Sequence, residues 1–333
     1  MIKKIFQLSL TGICFVSLSV QAVKLNTGDY RYREDVEAFI EKVAAKSDYS
    51  EQQLVELFSQ AKQQTHLFDR MNKPAEKKLE WHQYRKIFIT EKRINKGIQF
   101  WNKNRELLKK VENKYKVPAE IVVAIVGVET FYGVYKGKSP VFDTLVTFAF
   151  DYPKRAKFFT KELEEFLILS ASQKFKVREV KGSYAGAMGM PQFISSSYRH
   201  YAVDFDGDGV ANLFDSVPDI LGSVANYFKS HGWKPGEDVT HILSVAKQNS
   251  VADLKVGVKP SQSWKSFKDA GLNAKNSITD ETEVALIKLQ QKKTADYWAG
   301  LKNFYVITRY NHSEMYAMAV YQLSQKIKAG IKF

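Results

Sequence analysis

The sequence predicts a mainly α protein of the α+β class in which a small antiparallel β domain is inserted late in the chain. Two ranges, 31–64 and 77–116, repeat apolar residues at helical spacing with Lys and Glu between them. From 239 to 307 the hydrophobic period shortens to that of strands separated by polar turns. The length of 333 residues suffices for one large domain or for about two or three smaller ones.

Residues 1–22 have the features of a secretory signal peptide. Lys3 and Lys4 precede a mainly apolar stretch, and Ala22 ends a small-residue cleavage site. Polar residues interrupt the stretch, which is also shorter than a spanning helix of about 20 residues, and this disfavours an uncleaved anchor. Cys14 is the single cysteine, but a bulky residue precedes it, so a lipoprotein anchor is less favoured than cleavage after Ala22. We expect a periplasmic protein without cysteine, disulfide or lipid.

Glu129 lies in an apolar segment, 117–133, where a carboxylate is unexpected. Pro118 suits a first helical position, and helical spacing places Val122 and Glu129 on one face of the following helix. Desolvation disfavours a charged carboxylate and should raise its pKa, which keeps a proton donor available near neutral pH. The β-branched residues leave a buried strand open, and Glu129 could instead be a solvated residue or a structural ion-pair partner.

A segment rich in glycine and alanine occupies 182–193. Small residues let another backbone or a bulky ligand approach closely. Gln192 offers a donor and an acceptor, and Ser183 and Tyr184 add hydroxyls, which suits an uncharged ligand bearing hydroxyl and amide groups. Such segments are often plain loops, so a binding role is a hypothesis until its structural context is known.

An acidic loop from 204 to 215 fits the EF-hand template for calcium. Acids stand at positions 1, 3 and 5, glycine at 6, a backbone carbonyl at 7 and Asn at 9. Three aspartates in alternation would repel one another without a cation between them, which disfavours a merely solvated acidic turn. Position 12 departs from the template, because Asp215 stands where a bidentate Glu is expected. We expect a structural Ca²⁺ held by Asp204, Asp206, Asp208 and the carbonyl of Val210, and no cofactor for the chemistry.

The chain is strongly basic, with a formal net charge of +14 that falls to +12 once the signal peptide and its two lysines are removed. Such a surface attracts polyanions through long-range steering. The secretory signal removes the opportunity to meet nucleic acid, and we recognise no nucleic-acid motif. In a cell envelope the polyanion expected as partner is the peptidoglycan sacculus with its carboxylate-bearing stem peptides.

Two segments together resemble the lytic murein transglycosylases, specifically the membrane-bound lytic transglycosylase B family: Glu129-Thr-Phe-Tyr-Gly133 and Gly182-Ser-Tyr-Ala-Gly-Ala-Met-Gly-Met-Pro-Gln-Phe193. Further similar segments follow the family's order, at 148–155, 201–209, 222–228 and 307–313. The resemblance implies a lysozyme-like helical core. It also implies cleavage of the β-1,4 bond between N-acetylmuramic acid and N-acetylglucosamine in peptidoglycan glycan strands.

The resemblance implies roles for individual residues as well. Glu129 matches the single catalytic acid and base. Lys154 and Arg155 fall where the family carries basic residues near the peptide side of the substrate. A longer calcium loop is implied, with Asp219 as its last ligand and Asp215 left uncertain. The other matches line the sugar cleft or lie near the catalytic carboxylate: Ser183, Gln192, Tyr227, Asn311 and Tyr316.

A single carboxylate in these segments constrains the mechanism, because glycosidases ordinarily use two. Glu129 would protonate the glycosidic oxygen and then accept the proton of the muramic acid's own C6 hydroxyl as that oxygen attacks C1. The product would be a 1,6-anhydro sugar, with no water consumed. Asp143 and Asp151 could supply a second carboxylate, so a hydrolytic muramidase stays open. A catalytically silent peptidoglycan-binding protein is the alternative from another class.

Strand-like segments at 254–258, 283–287 and 303–307 define the predicted β domain, and 311–328 returns to helix. The predicted division is a signal peptide at 1–22, an N-terminal helical region at 23–116, a catalytic lysozyme-like core with the calcium loop at 117–236, the β domain at 237–307 and a C-terminal helix returning to the core at 308–333. Peripheral association with the envelope stays open, and partner enzymes cannot be inferred from the sequence.

Overall fold

The computed structural model describes residues 24–72, 79–173, 175–246, 251 and 254–332. The predicted signal peptide at 1–22, with Cys14, lies outside the described residues. Helices dominate the described chain, and one five-stranded antiparallel sheet lies late in it. The predicted fold class, a mainly helical protein with a small antiparallel sheet, is therefore confirmed.

The described N-terminal part is helical, as predicted. Local sequence determines where several of these helices begin: Ser50 and Gln53 form a capping box, Glu80 and Gln83 form another, and Thr90 accepts a hydrogen bond from the first turn that follows it. The helices are α1 (Glu34–Ala44), α2 (Glu51–Ser59), α3 (Phe68–Asn72), α4 (Trp81–Phe88), α5 (Glu91–Lys103) and α6 (Arg105–Tyr115).

The remaining helices surround a central one, α7. They are α7 (Ala119–Thr130), α8 (Val141–Asp151), α9 (Ala156–Ser172), α10 (Ser195–Tyr201), α11 (Val217–Ser230), α12 (Trp264–Asp269), α13 (Lys302–Tyr310) and α14 (Glu314–Ala329). Helix α7 packs against α14, α5, α11 and α6. Its β-branched residues are buried on all sides by these helices, which explains why the segment is a helix although a strand was an alternative. Pro118 precedes the helix as its N-cap instead of being its first residue.

The five-stranded sheet has the order β4-β6-β7-β3-β5, and each neighbouring pair is antiparallel. Strand β6 is buried on both faces, because Leu286 belongs to a small core with Trp264 and Phe267, whereas Ile287 belongs to the main helical core. The strands are β3 (Thr240–Val245), β4 (Gln262–Ser263), β5 (Leu272–Ala274), β6 (Glu283–Gln290) and β7 (Ala295–Gly300). A two-stranded ladder, β1 (Ser139–Pro140) with β2 (Lys181–Gly182), joins the start of α8 to the glycine-rich segment.

Two of the three predicted strands are wrong. The segment 303–307 lies inside helix α13, where Asn303 is fully buried and its side chain bonds to the backbone of Lys234 and Glu237. These bonds tie the helix to the chain that follows α11, a tertiary constraint that overrides the β-branched and aromatic composition. The segment 254–258 contributes one isolated bridge, Val256 to Leu286, and no strand.

Among the residues that the structure describes, no helix combines the length and the apolar composition needed to span a bilayer.

Candidate active site

Glu129 is the one residue of α7 that is not buried. It stands one residue before the end of the helix, and its side chain is half-buried. The hydroxyl of Tyr316, on α14, donates a hydrogen bond of 2.5 Å to Glu129 Oε1. The buried helix α7 thus carries a partly exposed carboxylate near its C-terminus, and the neutral hydroxyl of Tyr316 donates a hydrogen bond to it.

The backbone after Glu129 is held in an unusual conformation. Phe131, Tyr132 and Gly133 all have positive φ, at 53°, 58° and 84°. The Tyr132 ring lies against Gly127, where an added Cβ would come within 2.5 Å of the tyrosine hydroxyl. Strain of this kind is costly for non-glycine residues and persists only where the surroundings impose it. The turn therefore fixes the helix end next to Glu129.

Arg93 on α5 supports the same helix end. Its Nε donates to the carbonyl of Gly127 at 3.0 Å and its Nη1 donates to the carbonyl of Ile87. The hydroxyl of Tyr132 in turn donates to the carbonyl of Arg93 at 3.1 Å. The Gly127 carbonyl also accepts the N–H of Phe131 at 3.2 Å, so Arg93 adds a second donor there, and these bonds together tie α5 to the end of α7.

Two tyrosines form the wall beside the carboxylate. The rings of Tyr310 and Tyr316 are stacked, 10° apart in plane. Burial first, and then the negative charge of Glu129, raise the pKa of both hydroxyls well above the usual value. Both therefore stay protonated at neutral pH and act as donors. Tyr84 on α4 is also buried here and interacts electrostatically with Tyr316.

The glycine-rich segment lies against this wall. Thr130 Oγ1 donates to the carbonyl of Met190 at 2.8 Å, and the hydroxyl of Tyr310 donates to the carbonyl of Pro191 at 2.6 Å. Gly189 approaches the backbone of Leu213, where a Cβ would lie 2.4 Å from the carbonyl oxygen. The small residues of the segment thus serve close backbone packing between α7 and the acidic loop.

Ser183 and Gln192, both predicted to line the cleft, are held by local bonds. Ser183 Oγ accepts the N–H groups of Ala185 and Ala187. Gln192 has a φ of 52°, and its Nε2 donates to the carbonyls of Gly189 and Lys136. Both side chains are half-buried and lie at the two ends of the segment that contacts Thr130.

Tyr227 and Asn311, the other predicted cleft residues, lie around Tyr310. The Tyr227 ring is 4.8 Å from that of Tyr310, and its hydroxyl donates to the carbonyl of Arg309 at 2.6 Å. His231 stacks on Tyr227 at 4.0 Å, and burial lowers the pKa of this histidine. Asn311 is exposed at the corner between α13 and α14. The structure thus brings five of the predicted residues into one region: Glu129, Gln192, Tyr227, Asn311 and Tyr316.

Lys154 and Arg155 belong to a different surface cavity, which α9 lines together with Lys42. The Arg155 guanidinium lies 4.2 Å from the centre of the Phe158 ring, and Lys154 Nζ is 3.4 Å from Asn72 Oδ1.

The two other candidate carboxylates, Asp143 and Asp151, form hydrogen bonds and ion pairs with residues outside the site. Asp143 is buried and accepts hydrogen bonds from the Arg178 guanidinium and from the backbone of Lys62. Asp151 pairs with Arg33 at 2.5 Å and accepts a bond from the hydroxyl of Tyr30. Both hold the N-terminal segment onto α8.

The acidic loop brings together carboxylate oxygens of Asp204, Asp206 and Asp219, which all lie within 4.8 Å of one another. Asp219 is fully buried and accepts the N–H groups of Phe205 and Asn212 at 2.7 and 2.8 Å. Asp208 accepts the N–H of Val210 within its own turn. A cluster of oxygen ligands closed by a buried carboxylate fits a hard divalent cation such as Ca²⁺.

Asp215 points away from this cluster. Its side chain is 76% exposed and pairs with Lys136 at 3.1 Å. The hydroxyl of Ser216 instead caps α11 at Asp219, which directs Asp219 back into the loop. Of the two residues left open by the sequence, the structure places Asp219 with Asp204 and Asp206.

Sequence reasoning missed several parts of the site. Arg93, Thr130 and Tyr84 were not singled out, and Tyr310 appeared only inside a similar segment. The positive φ of Phe131 and Tyr132 has no signature in one sequence, because both residues ordinarily avoid it. Gly127 in the middle of an apolar helix was the available signal, since glycine there marks close packing.

A half-buried acid at the end of a buried helix, bonded to a buried tyrosine in a mainly helical fold, defines the class of lysozyme-like glycan-cleaving enzymes. Comparison with known proteins gives the family. The transglycosylase SLT domain matches residues 31–325, so the chain belongs to this family and is a lytic transglycosylase.

Three relatives show how far the similarity extends. Membrane-bound lytic murein transglycosylase B of Escherichia coli K12 is 41% identical over 309 residues, which are 90% of this chain and 84% of the relative. The soluble lytic transglycosylase SltB1 of Pseudomonas aeruginosa is 44% identical, with a TM-score of 0.84, over 89% of this chain and 98% of its own. The Escherichia coli lytic transglycosylase Slt35, solved in complex with calcium, is 41% identical with a TM-score of 0.84, over 91% of this chain and 95% of its own.

Proposed function

We propose that this enzyme cleaves the β-1,4 bond between N-acetylmuramic acid and N-acetylglucosamine in peptidoglycan and leaves 1,6-anhydro-muramic acid ends. The observation that carries the proposal is the carboxylate of Glu129, held by Tyr316 at the end of a buried helix and flanked by the glycine-rich segment. The murein-acting relative from Escherichia coli supports the choice of substrate.

In the proposed mechanism Glu129 first acts as the acid. Its proton passes to the glycosidic oxygen as the bond to C1 breaks, which releases the N-acetylglucosamine hydroxyl. The C6 hydroxyl oxygen of the same muramic acid then attacks C1, and its proton passes to the Glu129 carboxylate. The enzyme ends protonated as it began, and no water is consumed. The tethered nucleophile benefits from a high effective molarity.

The role of Tyr316 follows from its hydrogen bond. It stays protonated because its pKa is raised by burial and by Glu129, so it donates to the carboxyl group in both protonation states. It thereby fixes the direction of Glu129 through both proton transfers.

The ion pairs of Asp143 and Asp151 favour a transglycosylase over a muramidase. A hydrolase would use a second carboxylate as a base for water or as a nucleophile. Asp143 and Asp151, the candidates nearest in sequence, are bonded to Arg178 and Arg33 and serve the packing of the N-terminal segment.

We also propose that Asp204, Asp206 and Asp219 bind one structural Ca²⁺, with Asp208 and the carbonyl of Val210 as further ligands. The clustered oxygens and the calcium complex of Slt35 support this assignment. When bound, the ion would neutralise the acidic loop, with the chemistry left to Glu129. A periplasmic location after cleavage of the signal peptide at 1–22, with peptidoglycan as the partner polyanion, completes the proposal.

Product analysis tests the reaction. Digestion of purified sacculi should yield muropeptides that end in 1,6-anhydro-muramic acid and are lighter by one water than hydrolytic products. Digestion in heavy-oxygen water should leave the new sugar ends unlabelled, because the nucleophile is the substrate's own hydroxyl. Labelled reducing ends as the main product would make the enzyme a muramidase, and no cleavage at all would favour a binding protein.

A further inference from the structure

An exposed aromatic and cationic surface adjoins the catalytic helix. Tyr135 is 68% exposed and Val134 is 49% exposed, immediately after the turn that follows Glu129. The ring of Phe131 lies 6.0 Å from that of Tyr135. Exposed apolar side chains grouped in this way, rimmed by charges, are typical of binding surfaces. We call Phe131, Val134 and Tyr135, together with Lys92 and Lys96, the rim surface.

The rim surface contains an unusual concentration of cations around one ring. Lys92 Nζ lies 5.8 Å, and Lys96 Nζ 4.9 Å, from the centre of the Phe131 ring. The Arg93 guanidinium lies 5.1 Å from the same centre. Arg93 donates to the carbonyls of Gly127 and Ile87, whereas Lys92 is exposed to solvent. The lysines therefore place positive charge beside an aromatic face.

The loop that carries Tyr135 packs against the glycine-rich segment. Gly133 abuts the methyl group of Met190, and the carbonyl of Lys136 accepts a bond from Gln192. Gly137 lies directly on the glycine-rich segment, where a Cβ would come within 2.0 Å of the carbonyl oxygen of Gly182. The loop that carries Tyr135 therefore adjoins the segment proposed to line the sugar cleft, and Tyr135 lies exposed on this loop.

The geometry points to the rim surface as an outer binding site for the glycan strand beyond the sugars at the scissile bond. Tyr135 offers an exposed ring for contact with a sugar, Phe131 packs beside it under the cations, and Lys92 and Lys96 offer charge to the carboxylates that the strand carries on its lactyl or peptide groups. The inference rests on the proposed peptidoglycan substrate and deepens it. The rim surface makes the enzyme prefer polymeric strands over short muropeptides.

The test compares substrates of different length. The activity on purified sacculi is divided by the activity on a two-disaccharide muropeptide for each variant. Tyr135→Ala should lower this ratio by about fivefold, because an aromatic stacking partner is lost. Tyr135→Phe should keep the wild-type ratio. Lys92→Gln with Lys96→Gln should lower the ratio at low ionic strength, and the deficit should shrink as salt is raised.

Binding is measured separately by co-sedimentation with sacculi in a Glu129→Gln background, where cleavage does not remove the ligand. Tyr135→Ala should lower retention by the same factor. Tyr32→Ala, an equally exposed tyrosine before α1, and Lys109→Gln, an exposed lysine on α6, are the matched controls.

A ratio in Tyr135→Ala equal to that of the wild type, or an equal loss in the two controls, would overturn the inference. A wild-type enzyme that forms no anhydro ends on either substrate would instead overturn the proposed function. The two failures are therefore distinguishable in one series of digests.

Discussion

The end of α7 and the acidic loop both depend on carboxylates, but their surroundings differ. Glu129 is half-buried on a helix whose other residues are buried, and the bond described for it comes from a neutral hydroxyl. In the loop, Asp204 alone accepts N–H groups from Gly207, Asp208 and Gly209. These bonds, led by the one from Gly209, lower the pKa of Asp204.

The difference separates two uses of the same functional group. A carboxylate that must gain and lose a proton is best placed among apolar residues with a neutral donor. A carboxylate that must stay charged to hold a cation is best surrounded by N–H groups and by ligands of the same ion. The first region is expected to control turnover and the second to control stability.

The largest effect should come from Glu129→Gln. An amide cannot carry the proton in either direction, so we expect turnover on sacculi to fall by at least about 1000-fold. The melting temperature and the binding of glycan should stay close to those of the wild type. Lysis well above the background level by a folded Glu129→Gln protein would remove the basis for treating this carboxylate as the acid and base.

Tyr316→Phe should have the next largest effect, a loss of about ten- to a hundredfold in kcat with little change in KM. The variant keeps the ring stacked on Tyr310 but loses the bond that directs Glu129. Tyr321→Phe, on the same helix, is the control and should retain activity. Equal losses in both variants would mean that α14 tolerates neither change, and that the hydroxyl of Tyr316 has no special role.

Parts of the fold and of the candidate site could be predicted from the sequence, and other parts could not. The apolar run around Glu129 and the alternating acids of the loop are local patterns, so both could be singled out from the sequence, and the roles proposed for them stay predictions. The segment 303–307 was misassigned because its composition favours a strand, whereas the buried Asn303 fixes a helix through bonds to residues distant in the chain.

Contacts over long sequence separations account for the rest. The bond between Tyr316 and Glu129 joins residues 187 positions apart, and only the family resemblance suggested that pair. The choice between Asp215 and Asp219 depends on the cap that Ser216 provides for α11. The role predicted for Lys154 and Arg155 near the substrate stays a prediction, and their position in the cavity along α9 depends on packing that no local pattern encodes.

Calcium should act on stability and leave the chemistry in place. A ligand that binds only the folded state raises the melting temperature, and a concentration far above its dissociation constant should give about 5 °C for this chain. Asp204→Ala should abolish the rise, whereas Asp215→Ala should retain it because Asp215 pairs with Lys136. Sugar cleavage at low temperature should persist in both. A wild-type melting curve indifferent to calcium and to chelator would contradict the assignment.

The smallest effect concerns His231, which stacks on Tyr227 at the edge of the proposed catalytic region. The groups that face it are Tyr201, Tyr227 and Arg309. Burial first, and then the charge of Arg309, lower its pKa below 6.5, so the folded state binds this proton less readily than the unfolded chain does. The resulting stability is complete above the unfolded pKa and is lost as the pH falls through 6.5 towards the folded value.

His231 is only partly buried, so solvent screening reduces this contribution to about a few tenths of a kcal/mol. In His231→Gln the fall in melting temperature between pH 7.5 and pH 5.5 should be smaller than in the wild type, by about 1 °C. His66→Gln, at an exposed site, serves as the reference. If the pH dependence of the melting temperature were the same in all three proteins, His231 would not contribute to acid sensitivity. The wall tyrosines, Tyr310 and Tyr316, would then add no pH dependence either, because the high pKa of their hydroxyls keeps them protonated over this range.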